Sequence, residues 1–230
     1  MRFETKPGEQ AQVDFGHFPF LTSDGQRHWY WGFAMVLAWS RLLYVEFIRR
    51  ADVASFIRCH LNAFERFGGL PRTCLYDNTK VVVLGRDASG MPHWNATFLD
   101  FALRVGFEAR LCRPYRAQTK GKVERPVRYL RDNFAYGRTF ANDADLDQQR
   151  RHWLDDVAKV RVHATTRERP RDRFDRDERL LLHPLAPRPY TSVLVPDAPR
   201  RIASSAAPRP LVTVEKRPLA VYARLTGGLA

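Results

Sequence analysis

The sequence has few cysteines, no long apolar run and too few acidic residues to balance its basic ones. Its three cysteines (Cys59, Cys74 and Cys112) lie far apart without a CxxC pair, which excludes a disulfide framework and a structural zinc site. The longest apolar run, about residues 29–39, is shorter than the roughly 20 residues of a membrane-spanning helix. Residues 1–12 contain no apolar signal segment. We therefore expect a cytoplasmic protein with no membrane partner.

Phenylalanine and tryptophan are absent from residues 184–230, which contain 8 of the 15 prolines. Such a segment can bury little apolar surface, so we expect a poorly structured, basic C-terminal tail. Residues 1–135 hold most of the aromatics and alternate strand-like with helix-like segments, whereas residues 136–183 are polar and rich in arginine, with helical periodicity. The sequence thus predicts a core domain over 1–135, a helical extension over 136–183 and the tail over 184–230.

Basic residues are in excess throughout the chain. Lysine and arginine total 38 against 25 acidic residues, so the net charge is +13, which favours nucleic acid as a partner. In residues 113–131 one acid, Glu124, lies among seven basic residues that we predict to bind DNA phosphates. A helix that merely exposed charged residues of both signs to solvent would be expected to carry more than one acid. The seven are Arg113, Arg116, Lys120, Lys122, Arg125, Arg128 and Arg131.

The pattern of residues 1–135 predicts the element order β-β-β-α-β-α-β-α. That order indicates an α/β protein in which three antiparallel strands precede two βα units on a mixed sheet, and the RNase-H-like fold is the best known example. Residues 29–37 and 42–48 suggest a hairpin, and the nearby aromatics Trp29, Tyr30, Trp31 and Trp39 are expected to lie in the core rather than to stack on bases. The predicted strands are 12–20, 29–37, 42–48, 73–76, an edge strand 81–84, and 107–111. Two predicted helices begin after N-caps at Asp52 and Asn95, and a third spans about residues 119–134.

Three acids occupy positions at which they can meet. Asp14 lies in the first strand, Asp77 ends the fourth, and Glu124 lies early in the last helix. Neighbouring first and fourth strands would bring these carboxylates to one end of the sheet, where they repel one another unless a cation lies between them. Oxygen ligands suit Mg²⁺ or Mn²⁺, and two such ions can support an in-line phosphoryl displacement.

Each acid also has a structural interpretation. Asp77 with Asn78 is a good turn dipeptide. Glu124 can be a first-turn helix acid or an i,i+4 partner of Arg128. Asp14 is hardest to explain in this way, because aspartate is depleted within strands.

The motifs GEQAQVDFG, YDNTK and CRPYRAQTKGKVER together resemble the IstA-like insertion-sequence transposases, which belong to the DDE integrase superfamily. The resemblance covers about residues 7–183 and implies an RNase-H-like integrase catalytic core that performs metal-dependent DNA strand cleavage and 3′-OH strand transfer. It implies Asp14, Asp77 and Glu124 as catalytic residues and as ligands of two Mg²⁺ or Mn²⁺ ions. It further implies an AAA+ ATPase helper, a homo-oligomer on transposon ends and target DNA, and a bacterial, nucleoid-associated location.

The chain departs from the family pattern in three places. Asp14 lies close to Met1, so we expect the family's N-terminal helix-turn-helix region to be missing. Residues 190–230 do not match its C-terminal β-barrel and suggest a truncated module. Pro126 beside Glu124 is unusual and fits a helix only in its first turn, which requires a start near Lys122 or Val123. Two alternatives therefore stay open: a catalytically idle, DNA-binding remnant of a transposase, or an RNase-H-like nuclease.

Overall fold

A computed structural model describes residues 5–77, 79–112 and 126–185, all within one compact unit. The strands are β1 (Gln10–Thr22), β2 (Arg27–Leu37), β3 (Leu43–Ile48), β4 (Thr73–Tyr76), β5 (Val83–Arg86), β6 (Pro92–Trp94), β7 (Glu108–Leu111) and β8 (Thr139–Phe140). The α-helices are α1 (Val53–Phe67), α2 (Ala96–Val105), α3 (Pro126–Leu130), α4 (Asp143–Trp153) and α5 (Pro170–Arg173). Helices α3, α4 and α5 continue into π-helical turns over Arg131–Ala135, Leu154–Ala158 and Phe174–Glu178, and the last is followed by a 3₁₀ turn, Arg179–Leu181.

The main sheet has the strand order β3-β2-β1-β4-β7, and β8 pairs with the far end of β1. Strands β1, β2 and β3 are antiparallel neighbours, whereas β4 runs parallel to both β1 and β7. Helices α1 and α2 are the crossovers that parallel strands require. The predicted mixed sheet and its element order are therefore confirmed. A strand overlaps the predicted edge strand 81–84, but it spans Val83–Arg86 and pairs with β6 in a separate two-stranded ribbon rather than with the main sheet.

Local sequence signals explain where the two crossover helices begin and end. The Asp52 carboxylate accepts a hydrogen bond from the Ser55 N–H (2.8 Å), and the Asn95 side chain accepts one from the Thr97 N–H (3.1 Å). Helix α1 ends at Gly68, whose φ of 75° is accessible to glycine at little cost. Both predicted N-caps are confirmed.

Alternating side chains give the sheet two buried faces. One face packs under α1 and α2, where Val13 and Phe33 of the sheet share a core cluster with Phe56 of α1. The opposite face includes Phe18 and Phe20 with the buried side chains Leu130, Phe134, Leu146 and Trp153 from the helices that follow the sheet. Helices α3 and α4, with their π-helical turns, therefore cover this second face of the sheet, whereas Phe174, after α5, packs in the first cluster. Among the residues described, no helix combines the length and the apolar character needed to span a membrane.

Hydrogen bonds join the later segments to the sheet. The buried Glu178 carboxylate accepts bonds from the N–H groups of Gly8 (3.1 Å) and Ser40 (3.0 Å). Arg150, also buried, donates to the Val45 carbonyl (2.5 Å). The predicted division of the chain at residues 135 and 183 stays a prediction.

The hairpin aromatics are only partly in the core. Tyr30 is buried and Trp31 is half-buried against the core, but Trp29 is 50% exposed. Phe56, near the start of α1, packs on Phe33, and Trp29 lies four residues before Phe33 on the same face of β2. The core prediction is therefore wrong for Trp29, because its end of the strand extends past the covering helix.

Candidate active site

Asp14 lies within β1, where the strand passes the end of its parallel neighbour. The pairing of β1 with β4 ends at Val13 opposite Tyr76, and each aspartate is the next residue along its strand. Asp14 is half-buried, and its Oδ1 accepts a hydrogen bond from the Phe15 N–H (3.0 Å). The sheet register therefore brings Asp14 and Asp77 to the same level.

The last residue of β4, next to Asp77, is held by a buried hydrogen-bond chain. The His60 Nδ1 lies 2.8 Å from the Phe56 carbonyl oxygen, and its Nε2 lies 2.9 Å from the Tyr76 hydroxyl. Complete burial lowers the pKa of His60 to about 3, so the ring is neutral. Nδ1 then donates to the carbonyl, and Nε2 accepts from the hydroxyl. The hydrogen bond between His60 and Tyr76 positions the strand end next to Asp77. The sequence signal for it is a histidine at helical spacing among the apolar residues of α1.

Asp14 and Asp77 line a single open cleft of about 220 Å³. Asp77 is exposed to solvent. The other residues that line the cleft are largely apolar or aromatic, so Asp14 and Asp77 supply the acidic groups of the cleft. The other lining residues are Val13, Phe15, Phe56, Tyr76 and Thr79. Two acidic side chains from different strands thus meet at one end of the sheet.

A larger groove of about 840 Å³ lies between β3, α1 and α4. Two of its four acids pair with arginine, Asp155 with Arg66 and Asp147 with Arg150, and Glu46 accepts hydrogen bonds from the Tyr44 hydroxyl and the Asn62 amide. We prefer the smaller cleft as the candidate active site because the strand register brings two of the predicted site carboxylates into it.

Glu124, the third predicted site residue, lies outside the described residues. So do the predicted DNA-binding residues Arg113, Arg116, Lys120, Lys122 and Arg125. Within 5–77, 79–112 and 126–185, no three histidine, cysteine or acidic side chains are grouped so that they could hold a metal ion.

The approach of α3 to β1 bears on Glu124. Gly16 lies two residues after Asp14 on the same face of β1, and a Cβ atom there would lie 2.5 Å from Cγ1 of Val127. The glycine therefore allows α3 to lie close against the strand beside Asp14. Val127 is three residues after Glu124 in the sequence.

Two of the predicted DNA-binding residues are described, and both are exposed. Arg128 pairs with Asp132 across 3.5 Å, and both side chains remain largely exposed to solvent. The Arg131 guanidinium lies 5.7 Å from the centre of the Phe18 ring. Surface ion pairs of this kind contribute little to stability, so Arg128 can exchange its carboxylate for a phosphate.

Comparison with known proteins relates this site to one family. Residues 4–117 match the integrase core domain family. The chain is 40% identical over 174 residues to the putative transposase for insertion sequence element IS5376 of Geobacillus stearothermophilus, a match covering 76% of this chain and 43% of the relative. It is 38% identical to the transposase of IS640 from Shigella sonnei, a match covering 75% of this chain and 55% of the relative. It is also 38% identical to the transposase of IS21 from Pseudomonas aeruginosa, over 76% of this chain and 44% of the relative.

Among solved structures, the chain resembles one from a simian T-cell lymphotropic virus intasome in complex with a PP2A regulatory subunit. The TM-score is 0.54 at 18% identity, covering 84% of this chain and 62% of that one, which is a likeness of fold.

The matches span about half the length of these curated relatives. The integrase core match includes Asp14 and Asp77, in the RNase-H-like fold described above. The chain therefore belongs to the IstA-like insertion-sequence transposases of the DDE integrase superfamily.

Proposed function

We propose that this chain is the catalytic part of a DNA transposase that cleaves DNA strands and transfers the resulting 3′-hydroxyl to target DNA. The observation that supports this most directly is the pair Asp14 and Asp77, which two parallel strands bring into one cleft of an integrase-core fold. We propose Glu124 as the third carboxylate, because it precedes by three residues the Val127 that contacts β1 beside Asp14.

The residues of the cleft fit a divalent cation. Its two carboxylates offer hard oxygen ligands, which suit Mg²⁺ or Mn²⁺. We propose that Asp14, Asp77 and Glu124 hold two such ions. When bound, the ions would supply Lewis-acid stabilisation of the attacking and leaving oxygens in phosphoryl transfer.

The chain's own residues would bind and orient the DNA. The basic residues of the 113–131 segment would contact backbone phosphates without reading base sequence, and Arg128 and Arg131 lie exposed for this on the helix beside Asp14. The carboxylates need only position cations, so no covalent protein intermediate is required. We further propose assembly as a homo-oligomer on DNA ends, with an AAA+ ATPase as helper and a nucleoid-associated location.

The test is cleavage and joining by the full chain with Mn²⁺. We would measure nicking of supercoiled plasmid and the joining of a labelled 3′-hydroxyl oligonucleotide to it. Asp14→Asn, Asp77→Asn and Glu124→Gln should each reduce both reactions at least about 100-fold while DNA affinity stays within about twofold, because a carboxylate that holds a catalytic ion cannot be replaced by an amide. Chelation by EDTA should have the same effect.

Asp100→Asn is the matched control, since Asp100 is a half-exposed acid of α2 paired with Arg104. Full activity in a site variant would remove that residue from the proposed site. A wild-type chain that binds DNA but shows no metal-dependent cleavage would be the idle remnant. Preferential cleavage of an RNA–DNA hybrid over duplex DNA would indicate the nuclease.

A further inference from the structure

Four aromatic rings form a continuous column on one face of β1 and β2. Phe15 stacks on Trp31 with ring centres 5.1 Å apart, Trp31 stacks on His17 at 4.7 Å, and His17 stacks on Trp29 at 4.6 Å. The planes of successive rings are within 28° of parallel. This is the offset, face-to-face arrangement that aromatic rings favour, and it places ring faces in sequence along the sheet.

The column begins at the candidate active site and ends in solvent. Phe15 lines the cleft that contains Asp14 and Asp77, and its other contact is edge-on to Phe56. Trp31 is half-buried against the core, His17 is exposed, and Trp29 is 50% exposed. Exposure therefore increases away from the cleft, and the outermost ring presents much of its surface to solvent.

The sheet register holds these rings in place before any ligand binds. His17 is paired with Trp31, and the adjacent pair on the same face is Pro19 with Trp29. Side chains on paired antiparallel strands lose little further freedom when a ring stacks on them, because the backbone already fixes their spacing. A preorganised column of this kind can be extended by one more flat ring.

The charge beside the column favours an anionic ligand. Arg27 is exposed on the same face of β2, two residues before Trp29. The nearby acid, Asp24, lies in the turn and already accepts hydrogen bonds from the Thr22 hydroxyl and the Gln26 N–H. A planar ring beside a cation matches a nucleotide, whose base stacks and whose phosphate is negative.

We propose that this column binds unpaired bases of the DNA strand held at the candidate site, with Trp29 stacking on a base and Arg27 contacting the adjacent phosphate. The inference rests on the proposed function, since it takes the DNA strand from that site. A protein surface against the same column, in a second copy of this chain, is the competing occupant. DNA is favoured because the column leads into the cleft and Arg27 lies beside its free end.

Binding without catalysis tests the proposal. The full chain would be titrated, in EDTA, against a fluorescein-labelled 20-base-pair duplex and against the same duplex with four unpaired nucleotides at one end. Trp29→Ala should weaken binding of the forked DNA about 5- to 150-fold, the equivalent of roughly 1–3 kcal/mol per stacked base, and leave the blunt duplex within about twofold. Trp29→Phe should retain most of the affinity. Arg27→Gln should lower the salt slope of forked-DNA binding by about one.

The matched control is Tyr136→Ala, because Tyr136 is an aromatic residue, 88% exposed, outside the column. A second measurement needs no variant: 2-aminopurine in the unpaired strand should be quenched when the wild-type chain binds. Equal affinity of Trp29→Ala and wild type for forked DNA, or unquenched 2-aminopurine, would overturn the proposal. So would a Trp29→Ala variant that changes the oligomeric state in sedimentation without affecting DNA binding.

The outcomes separate this inference from the proposed function. If the wild type cuts and joins DNA while Trp29→Ala binds forked DNA normally, only the inference is lost. If Asp14→Asn leaves catalysis intact while Trp29→Ala loses forked-DNA binding, the proposed site is wrong and the stacking surface stands. A wild-type chain that binds neither the forked nor the blunt duplex would contradict both the proposed function and the stacking surface.

Discussion

At the scale of single residues, His60 connects α1 to the strand end that precedes Asp77. The Nδ1–H of the neutral ring donates to the Phe56 carbonyl and Nε2 accepts from the Tyr76 hydroxyl, so the neutral ring satisfies both partners. The same burial raises the pKa of the Cys74 thiol to about 12 and that of Tyr76 well above its usual value, so this part of the core stays neutral.

This environment predicts a pH dependence of stability. An unfolded histidine binds a proton near pH 6.5, whereas the folded ring does not until about pH 3, so the folded state binds fewer protons between these values and loses stability as the pH falls. Between pH 7 and pH 5, urea denaturation should show His60→Phe losing about 2 kcal/mol less than wild type. His93→Phe, at an exposed position of β6, is the control. Parallel pH profiles for wild type and His60→Phe would contradict a neutral, buried His60.

At the scale of elements, the closeness of β1 and α3 depends on Gly16. A Cβ at this position would meet Val127, whose β-branched side chain has little freedom to move aside. Gly16→Ala should therefore lower the free energy of unfolding by about 1–3 kcal/mol, and adding Val127→Ala should restore part of it. Thermal or urea unfolding of the two single variants and the double variant measures this coupling.

A second glycine variant separates the effect of packing against Val127 from the effect of losing glycine's backbone flexibility. Gly85→Ala places a Cβ in strand β5 with no heavy atom within 4 Å, so it should leave stability nearly unchanged. Additive effects of Gly16→Ala and Val127→Ala would mean that these residues do not meet. If the contact also positions Glu124, Gly16→Ala should reduce strand transfer more than it reduces DNA affinity.

At the scale of the whole molecule, the net charge of +13 predicts DNA binding that depends strongly on salt. If six or more phosphates are neutralised, affinity for a blunt duplex should fall about 10³-fold or more between 50 and 200 mM salt, because binding releases condensed counterions. Arg128→Gln should lower the salt slope by about one, measured by fluorescence anisotropy at several salt concentrations. Arg104→Gln is the matched control, since Arg104 also pairs with an aspartate four residues away, but on α2. Equal slopes for the two variants would exclude Arg128 from the DNA contacts.

Much of the fold was predictable because its signals are local. The limits of β4, the caps at Asp52 and Asn95 and the order of the main elements follow from side-chain pattern, capping chemistry and turn residues over short windows. The element order alone also made β1 and β4 neighbours, and with them Asp14 and Asp77. The catalytic role of those residues and of Glu124 stays a prediction.

The sequence by itself therefore determined the fold class, the family and the two strands that carry the aspartates. Only the tertiary structure decided that Trp29 lies in solvent at the end of a ring column, that β5 leaves the main sheet for a ribbon, and that His60 is linked to Tyr76. These features depend on which distant segment covers a given surface. Local propensity does not contain that information, because burial is a property of the packed chain and not of a short window of residues.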